Sequence, residues 1–297
     1  MKNEDSTVHT EPTPNLIVRK LEIDLRAGFG RHWNGGDAFL TQFNNALSMS
    51  FPVGEQSFID SVRDCAKLLP DAADAPQFAA LHRDIAQFIG QEATHRHLHG
   101  LYNAHLDKQG LVNRWETWAS KRLAEAKSRN IDPRHFLAVT AAYEHLTALL
   151  SDYLLRHDTA LEKAEPMMRM LWCWHAAEET EHRAVAFNLY QAVGGNHAWR
   201  IRWYVYTLVA FSVDAGRQTV LNLWHDGTLF KPSTWWSALK FFWGPNGLVR
   251  RCTGPALSYF RRDFHPDHET ARPPEASTQE LAQRWLRENA ASWRAVR

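Results

Sequence analysis

Two Glu-x-x-His pairs, Glu92 with His95 and Glu179 with His182, have the residue types and spacing to do chemistry. Three positions apart on a helix, the two side chains leave one face and converge on one ion. One such pair is weak, because both residue types are common in helices. Two pairs gain weight when further glutamates can be brought to them, and Glu55 and Glu144 are placed for that. His175, Glu179 and His182 stand at i, i+4 and i+7, within about 60° of one helix face at about 100° per residue. His175 is therefore either a further nitrogen donor or a core histidine. Carboxylate and imidazole together suit iron or manganese better than a soft-ligand metal.

Two neighbours leave alternatives open. Glu178 precedes Glu179 and could compete for its role, but the i, i+3 spacing repeated at Glu92 favours Glu179. Glu178 lies four residues before His182, and Gln91 lies four before His95. Either they accept the free N–H of a ligand histidine and fix its tautomer, or they are solvated polar residues. His99 follows His95 by one turn and can face the interior, whereas His97, His105, His145 and His157 read as solvated or capping.

The elements that must position these groups are helices. After an alternating stretch (Leu21, Ile23, Leu25) that reads as one isolated extended segment, strand signals disappear. A short helix is expected over Phe39–Ser48. A second is expected from Pro52, which suits a first turn, to Leu69. Others are expected over Gln77–Lys108, closed by Gly110, over Leu111–Ser128, from an Asp132 N-cap to His157, and from Pro166 to Val193. Glu55 lies 15 residues before Pro70, and Glu92 lies 16 after Pro76. At about 1.5 Å per residue both are roughly 22–24 Å from the same turn. Glu144 lies 14 residues before Asp158, and Glu179 lies 14 after Glu165. Each hairpin thus brings its carboxylates to one level, as in the four-helix bundles that hold two metal ions. The fold class expected is all-α: a ferritin-like four-helix bundle with a di-metal centre and a Trp-rich C-terminal helical extension.

By segment, residues 1–14 read as a disordered arm, 15–195 as the bundle and 196–270 as the extension packed on it. Residues 271–297 read as a Pro273-Pro274 linker with an amphipathic terminal helix over Ala276–Val296. The extension is expected to hold helices at Ala198–Trp224 and Pro232–Trp243, followed by Gly- and Pro-broken text to Pro266. Eight of the 13 tryptophans fall beyond residue 196. They read as a substrate lid, a dimer surface or core packing, with packing or an interface ahead of a cofactor box. Arg250, Arg251, Arg261 and Arg262 read as a solvated face ahead of a site for an anionic substrate. The 34 basic and 33 acidic side chains nearly cancel, which gives no electrostatic reason to expect nucleic acid or an anionic membrane as the main partner. Three separated cysteines argue against a disulfide framework or a thiolate zinc site. No apolar leader follows the polar start. The aromatic-aliphatic run Trp203–Val213 has only 11 residues, against roughly 20 for a membrane span, so a cytoplasmic location is expected.

Three segments carry a family resemblance: Asn45-Ala46-Leu47-Ser48, Phe51-Pro52-Val53-Gly54-Glu55 and His175-Ala176-Ala177-Glu178-Glu179-Thr180-Glu181-His182. They resemble the bacterial family of predicted metal-dependent hydrolases, from about Leu16 to about His268. The ligand order also resembles the p-aminobenzoate N-oxygenase family, in which the extra histidine is a ligand and the set binds two irons. That resemblance implies Glu55, Glu92, His95, Glu144, His175, Glu179 and His182 as the metal ligands here. Outside those ligands the similarity to the oxygenases is slight, so it does not transfer substrate or reaction.

The function expected is a non-haem di-iron oxidase or oxygenase that activates dioxygen on a small organic substrate in the bundle. Its cofactor would be two iron ions, with manganese or a mixed Mn/Fe pair as substitutes and zinc the poorer fit. An electron-donor protein and a second copy of the chain are the macromolecular partners to consider. The alternative is a binuclear hydrolase in which a bridging hydroxide attacks an ester, amide or phosphate. A third reading is a non-catalytic metal-binding or structural bundle.

Overall fold

A computed structural model of the chain describes residues 16–157, 160–268 and 276–296. The expected arm at 1–14, Asp158 and the Pro273-Pro274 linker lie outside these residues. Four long helices form the frame: α1 (Ala38–Ala66), α2 (Ala79–Lys108), α4 (Pro133–Arg156) and α5 (Pro166–His182), with α3 (Trp115–Ser128) as the connection between the two hairpins. Helix α1 packs on α2 and α4, and α5 packs on α4 and α2, which closes a four-helix bundle. Local chemistry sets the boundaries. The Asp37 side chain caps α1 by accepting from the Leu40 N–H, and Asp132 caps α4 at Arg134, with Pro133 in the first turn. Past the end of α2, Gly110 takes a φ of +84°, the left-handed turn that favours glycine.

Helix α1 corrects the expected break at Pro52, which lies in its interior. A proline there lacks the N–H that would bond the Ser48 carbonyl. The Asn103 side-chain amide of α2 donates to that carbonyl instead, at 2.9 Å, so the freed acceptor is satisfied and the helix continues. A second correction falls after α5. The helix expected to reach Val193 stops at His182, turns at Arg183–Ala184 and resumes as α6 (Val185–Ala192). Arg183 is buried at this turn and meets Asp267 at 3.3 Å.

Beyond the bundle, α7 (His197–His225) lies against α1 and α4, while α8 (Pro232–Trp243) packs on α1 and on α9 (Leu248–Ser258). Helix α9 occupies text expected to be broken, with Pro255 near its end. Helix α10 (Thr278–Glu288) opens on a Ser277–Glu280 capping box and packs against α5 and α4. The terminal helix expected to reach Val296 ends early, and the chain finishes as strand β2 (Trp293–Ala295). This strand pairs antiparallel with β1 (Arg19–Leu21), so the extended segment near Leu21 is not isolated. Gly90 on α2 allows β1 to approach closely, since any side chain there would collide with Val18.

The core is split by a polar layer. Leu47, Leu98, Trp172 and Trp174 belong to one buried apolar cluster, and Phe58, Val62, Ile85 and Phe88 to another. Each such side chain contributes roughly 1.5–3 kcal/mol on burial. Between the two clusters lie Glu55, Glu92, His95, Glu144, Glu179 and His182, where burial costs energy unless a partner is found.

Candidate metal centre

Each bundle helix delivers donors to this layer: Glu55 from α1, Glu92 and His95 from α2, Glu144 from α4, and His175, Glu179 and His182 from α5. Three overlapping groups have one donor atom from each member within 4.8 Å of the others: Glu55–His95–His175, Glu92–His95–Glu179 and Glu92–Glu144–His182. Their union is the seven residues expected from sequence. Glu179 is central, with Oε1 at 3.0 Å from His175 Nε2, 3.3 Å from His95 Nδ1 and 3.5 Å from His182 Nε2. His182 Nε2 also lies 3.3 Å from Glu92 and 3.4 Å from Glu144.

Whether these residues fit metal can be judged from atoms that lack partners. Both carboxylate oxygens of Glu55, Glu92 and Glu144, Glu179 Oε2, His95 Nδ1 and His182 Nε2 are buried without a hydrogen-bond partner. Buried polar atoms are normally satisfied, and each orphan costs about 1–3 kcal/mol. Burial, reinforced by the charge on Glu179, pushes Glu55, Glu92 and Glu144 well above the ordinary glutamate value of 4.5. Burial also opposes ionisation of Glu179, yet His182 and the other histidines hold its carboxyl well below that value. Two ionised carboxylates about 4 Å apart repel by roughly 4 kcal/mol even at an effective dielectric of 20. A few such pairs approach the ~5–15 kcal/mol net stability of a folded domain. Four carboxylates and three neutral imidazoles would balance the charge of two divalent cations, and the donor set suits first-row metals.

The histidines are held from behind. His95 Nε2 donates to Glu178 at 3.0 Å, and His182 Nδ1 donates to the Gln91 side-chain oxygen at 3.0 Å. Glu178 and Gln91 therefore contact ligand-set histidines, but in exchanged pairing. Each serves the histidine on the opposite helix, because an inward-facing ring directs its far nitrogen across the interface. Glu179 belongs to one of the three donor groups, and Glu178 to none of them. Burial pushes Glu178 up to about 8 against the pull of Arg19. The guanidinium of Arg19, 5 % exposed, joins Glu178 at 3.1 Å and grips Glu181 at 2.6 and 2.9 Å. Gln91 completes the network by donating to Glu181.

His175 is oriented by a longer chain. The amide that Asn103 gives to the Ser48 carbonyl directs its oxygen at the Ser48 hydroxyl, which donates to it at 2.8 Å. Ser48 Oγ is then the acceptor for His99 Nδ1–H, and His99 Nε2 the acceptor for His175 Nδ1–H, each at 2.8 Å. Burial and the neighbouring His95 lower the pKa of His175 to about 4, which leaves the ring neutral near pH 7. Its Nε2 lone pair then faces Glu179 Oε1 at 3.0 Å, an unfavourable contact unless a cation sits between them. The same carbonyl freed by Pro52 thus fixes the tautomer of a histidine in the ligand set.

Sequence reasoning passed over Arg19, Glu181, Ser48 and Asn103, and gave His99 little weight. The one-turn offset of His99 from His95 was the available signal; Arg19 carried none. His145, expected to be solvated or capping, is buried against Tyr204, Tyr259 and Phe264.

Beside His175 lies a slot with a cavity volume of about 70 Å³. It runs along α1 from Leu40 to Phe51, roughly 16 Å at 1.5 Å per residue, with Leu150, Leu154, Trp172 and Phe241 among its walls. Asn44, Thr147, Ser151, Tyr153 and Trp172 supply its polar atoms besides His175, and among the described residues no Lys, Arg, Asp or Glu lines it.

No curated protein and no solved structure matches this chain. A family model does, over residues 17–270, a span that includes all seven clustered donors and every helix of the bundle. With the motifs around Glu55 and His175 and the buried donor cluster in agreement, the chain belongs to the family described as predicted metal-dependent hydrolases.

Proposed function

We propose that Glu55, Glu92, His95, Glu144, His175, Glu179 and His182 bind two divalent first-row metal ions, and that the chain uses them to hydrolyse a neutral ester or amide. The observation that carries the metal assignment is the set of buried, partnerless donor atoms directed into one volume. Bound there, a metal pair supplies Lewis acidity and lowers the pKa of water toward ~7. The protein's part is to hold the donors in place and keep the site dry. The His175–His99 and His95–Glu178 contacts set the donor nitrogens, while the slot holds an apolar substrate against His175. Among the described residues no Lys or Arg lines the slot to pair with a phosphate, which favours a neutral scissile group.

Hydrolysis takes precedence over the oxidase expected from the ligand pattern because the family's description supports it. A second reading, oxidation of the substrate by dioxygen at two irons with an external electron donor, is favoured by the apolar lining of the slot. One experiment separates them. Protein loaded in turn with manganese, zinc and ferrous iron is assayed anaerobically, without reductant, on neutral esters and anilides of increasing acyl length. Metal content is measured in parallel. Turnover at about two metals per chain supports hydrolysis. Silence under those conditions, with oxygen consumption by the iron form once reductant is added, would overturn it in favour of oxidation.

A further inference from the structure

The outer face of α8 is apolar where solvent should meet it. Phe230, in the turn between α7 and α8, is 82 % exposed; Trp243, Trp236 and Trp224 are 64 %, 58 % and 57 % exposed, with Trp235 and Leu239 beside them. These rings alone expose on the order of 600 Å², taking about 200 Å² per aromatic side chain. That reaches the top of what soluble monomers usually show as one patch. On α8, Trp235, Leu239, Trp243, Trp236 and Lys240 fall within an arc of about 140° at about 100° per residue. Outside that arc the helix is also apolar: Phe241 and Phe242 pack on Phe39 and Phe43 of α1. A helix apolar on both sides has a second apolar neighbour.

Charge identifies that neighbour. Between Asp226 and Asp263 the chain carries six Lys and Arg residues and no Asp or Glu, although basic and acidic residues nearly balance over the whole sequence. Two carboxylates near this face are occupied. Asp226 is held by Arg31 and His32, and Asp37 caps α1 and accepts from Ser237. We infer that the outer face of α8, with the Phe230 turn and the end of α7, docks on an anionic phospholipid surface. Tryptophan and phenylalanine with flanking lysines are the composition that settles at the headgroup boundary. Lys240 lies 5.3 Å from the ring of Trp236, with its apolar stem along the face and its ammonium available to phosphate. Among the described residues no helix is long and apolar enough to cross a membrane, so the chain lies on the surface. A second copy is the poorer occupant. A twofold contact through this face would bring its cations onto themselves without an acid between them.

The test uses the full chain and two kinds of vesicle, phosphatidylcholine alone and phosphatidylcholine with about one-fifth phosphatidylglycerol. The protein is expected to co-sediment with the anionic vesicles, to release as salt is raised, and to show tryptophan quenching by lipids brominated near the headgroup. Lys231→Glu/Lys240→Glu is expected to weaken binding about tenfold or more, and Trp236→Ser/Trp243→Ser by a similar factor, with metal content and helicity unchanged. Protein that stays in the supernatant with both vesicles, or variants that bind as well as the parent, would falsify the inference. Self-association that is lost in Trp236→Ser/Trp243→Ser, without vesicle binding, would overturn it in favour of a dimer face. Neither outcome bears on which reaction the centre performs.

Discussion

The centre of the bundle and the outer face of α8 depart from ordinary burial in opposite directions. In the centre, Glu55, Glu92, Glu144 and Glu179 are taken out of water without enough protein partners. On α8, Trp236 and Trp243 are left in water although burial would stabilise them. Each departure is unfavourable for the isolated chain, and each would be relieved by the partner proposed for it. Partnerless donors inside suit cations; exposed rings outside, with Lys231 and Lys240 among them, suit the anionic apolar surface inferred above. The difference lies in what is missing, charge in one place and contact area in the other.

The largest expected effect strikes the centre alone. Glu92→Ala/His95→Ala should bind fewer than two metals per chain and lose activity by more than about a thousandfold, checked by elemental analysis and turnover. If it keeps two metals, the centre lies elsewhere. Next comes the cost of crowded carboxylates. Glu55, Glu92 and Glu144 have folded-state pKa values raised above 4.5. Their stabilising contribution is therefore present below about 4.5 and is lost as pH rises through the raised values. Metal-free protein should melt at progressively lower temperature above that pH, while metal-loaded protein should not. Metal binding should release protons, read by calorimetry in buffers of different ionisation enthalpy. A flat melting profile for the metal-free form would remove the electrostatic half of the comparison.

Smaller effects sharpen it. Arg19→Ala strips Glu178 and Glu181 of their cation and should weaken metal binding about 10–100-fold. His99→Ala should weaken it about tenfold by releasing the tautomer of His175; metal titration measures both. At the bottom of the scale, Trp236→Ser/Trp243→Ser should change unfolding free energy by less than about 0.5 kcal/mol, measured by urea denaturation. A large loss would mean that these rings serve the fold.

Much of the centre was legible because it is local. Glu-x-x-His fixes two donors on one helix face, and hairpin lengths measured from Pro70, Pro76, Asp158 and Glu165 bring four carboxylates to one level. What stood behind the donors was illegible because it is not local. Glu178 and Gln91 were identifiable by spacing, but their exchanged pairing depends on how two helices face each other. Pro52 misled for a related reason. Its rule concerns a missing N–H, and the group that replaces it comes from Asn103 on another helix. Tryptophan enrichment after residue 196 was plain in the sequence, but composition does not say which rings a neighbour covers.

Arg19 carries one more consequence, in the order of assembly. It is held between Glu178 and Glu181 on one side and the Trp293 ring on the other, 5.0 Å from its guanidinium carbon. The strand that carries it is paired only when Trp293–Ala295 arrives. During synthesis the four bundle helices emerge long before that strand, so a nascent chain can gather all seven donors while their backing is still open. Helix α10 and β2 lie beyond the span matched by the family model, and α10 packs over α5. A ribosome-bound chain should therefore exchange metal readily, and the released chain should hold it.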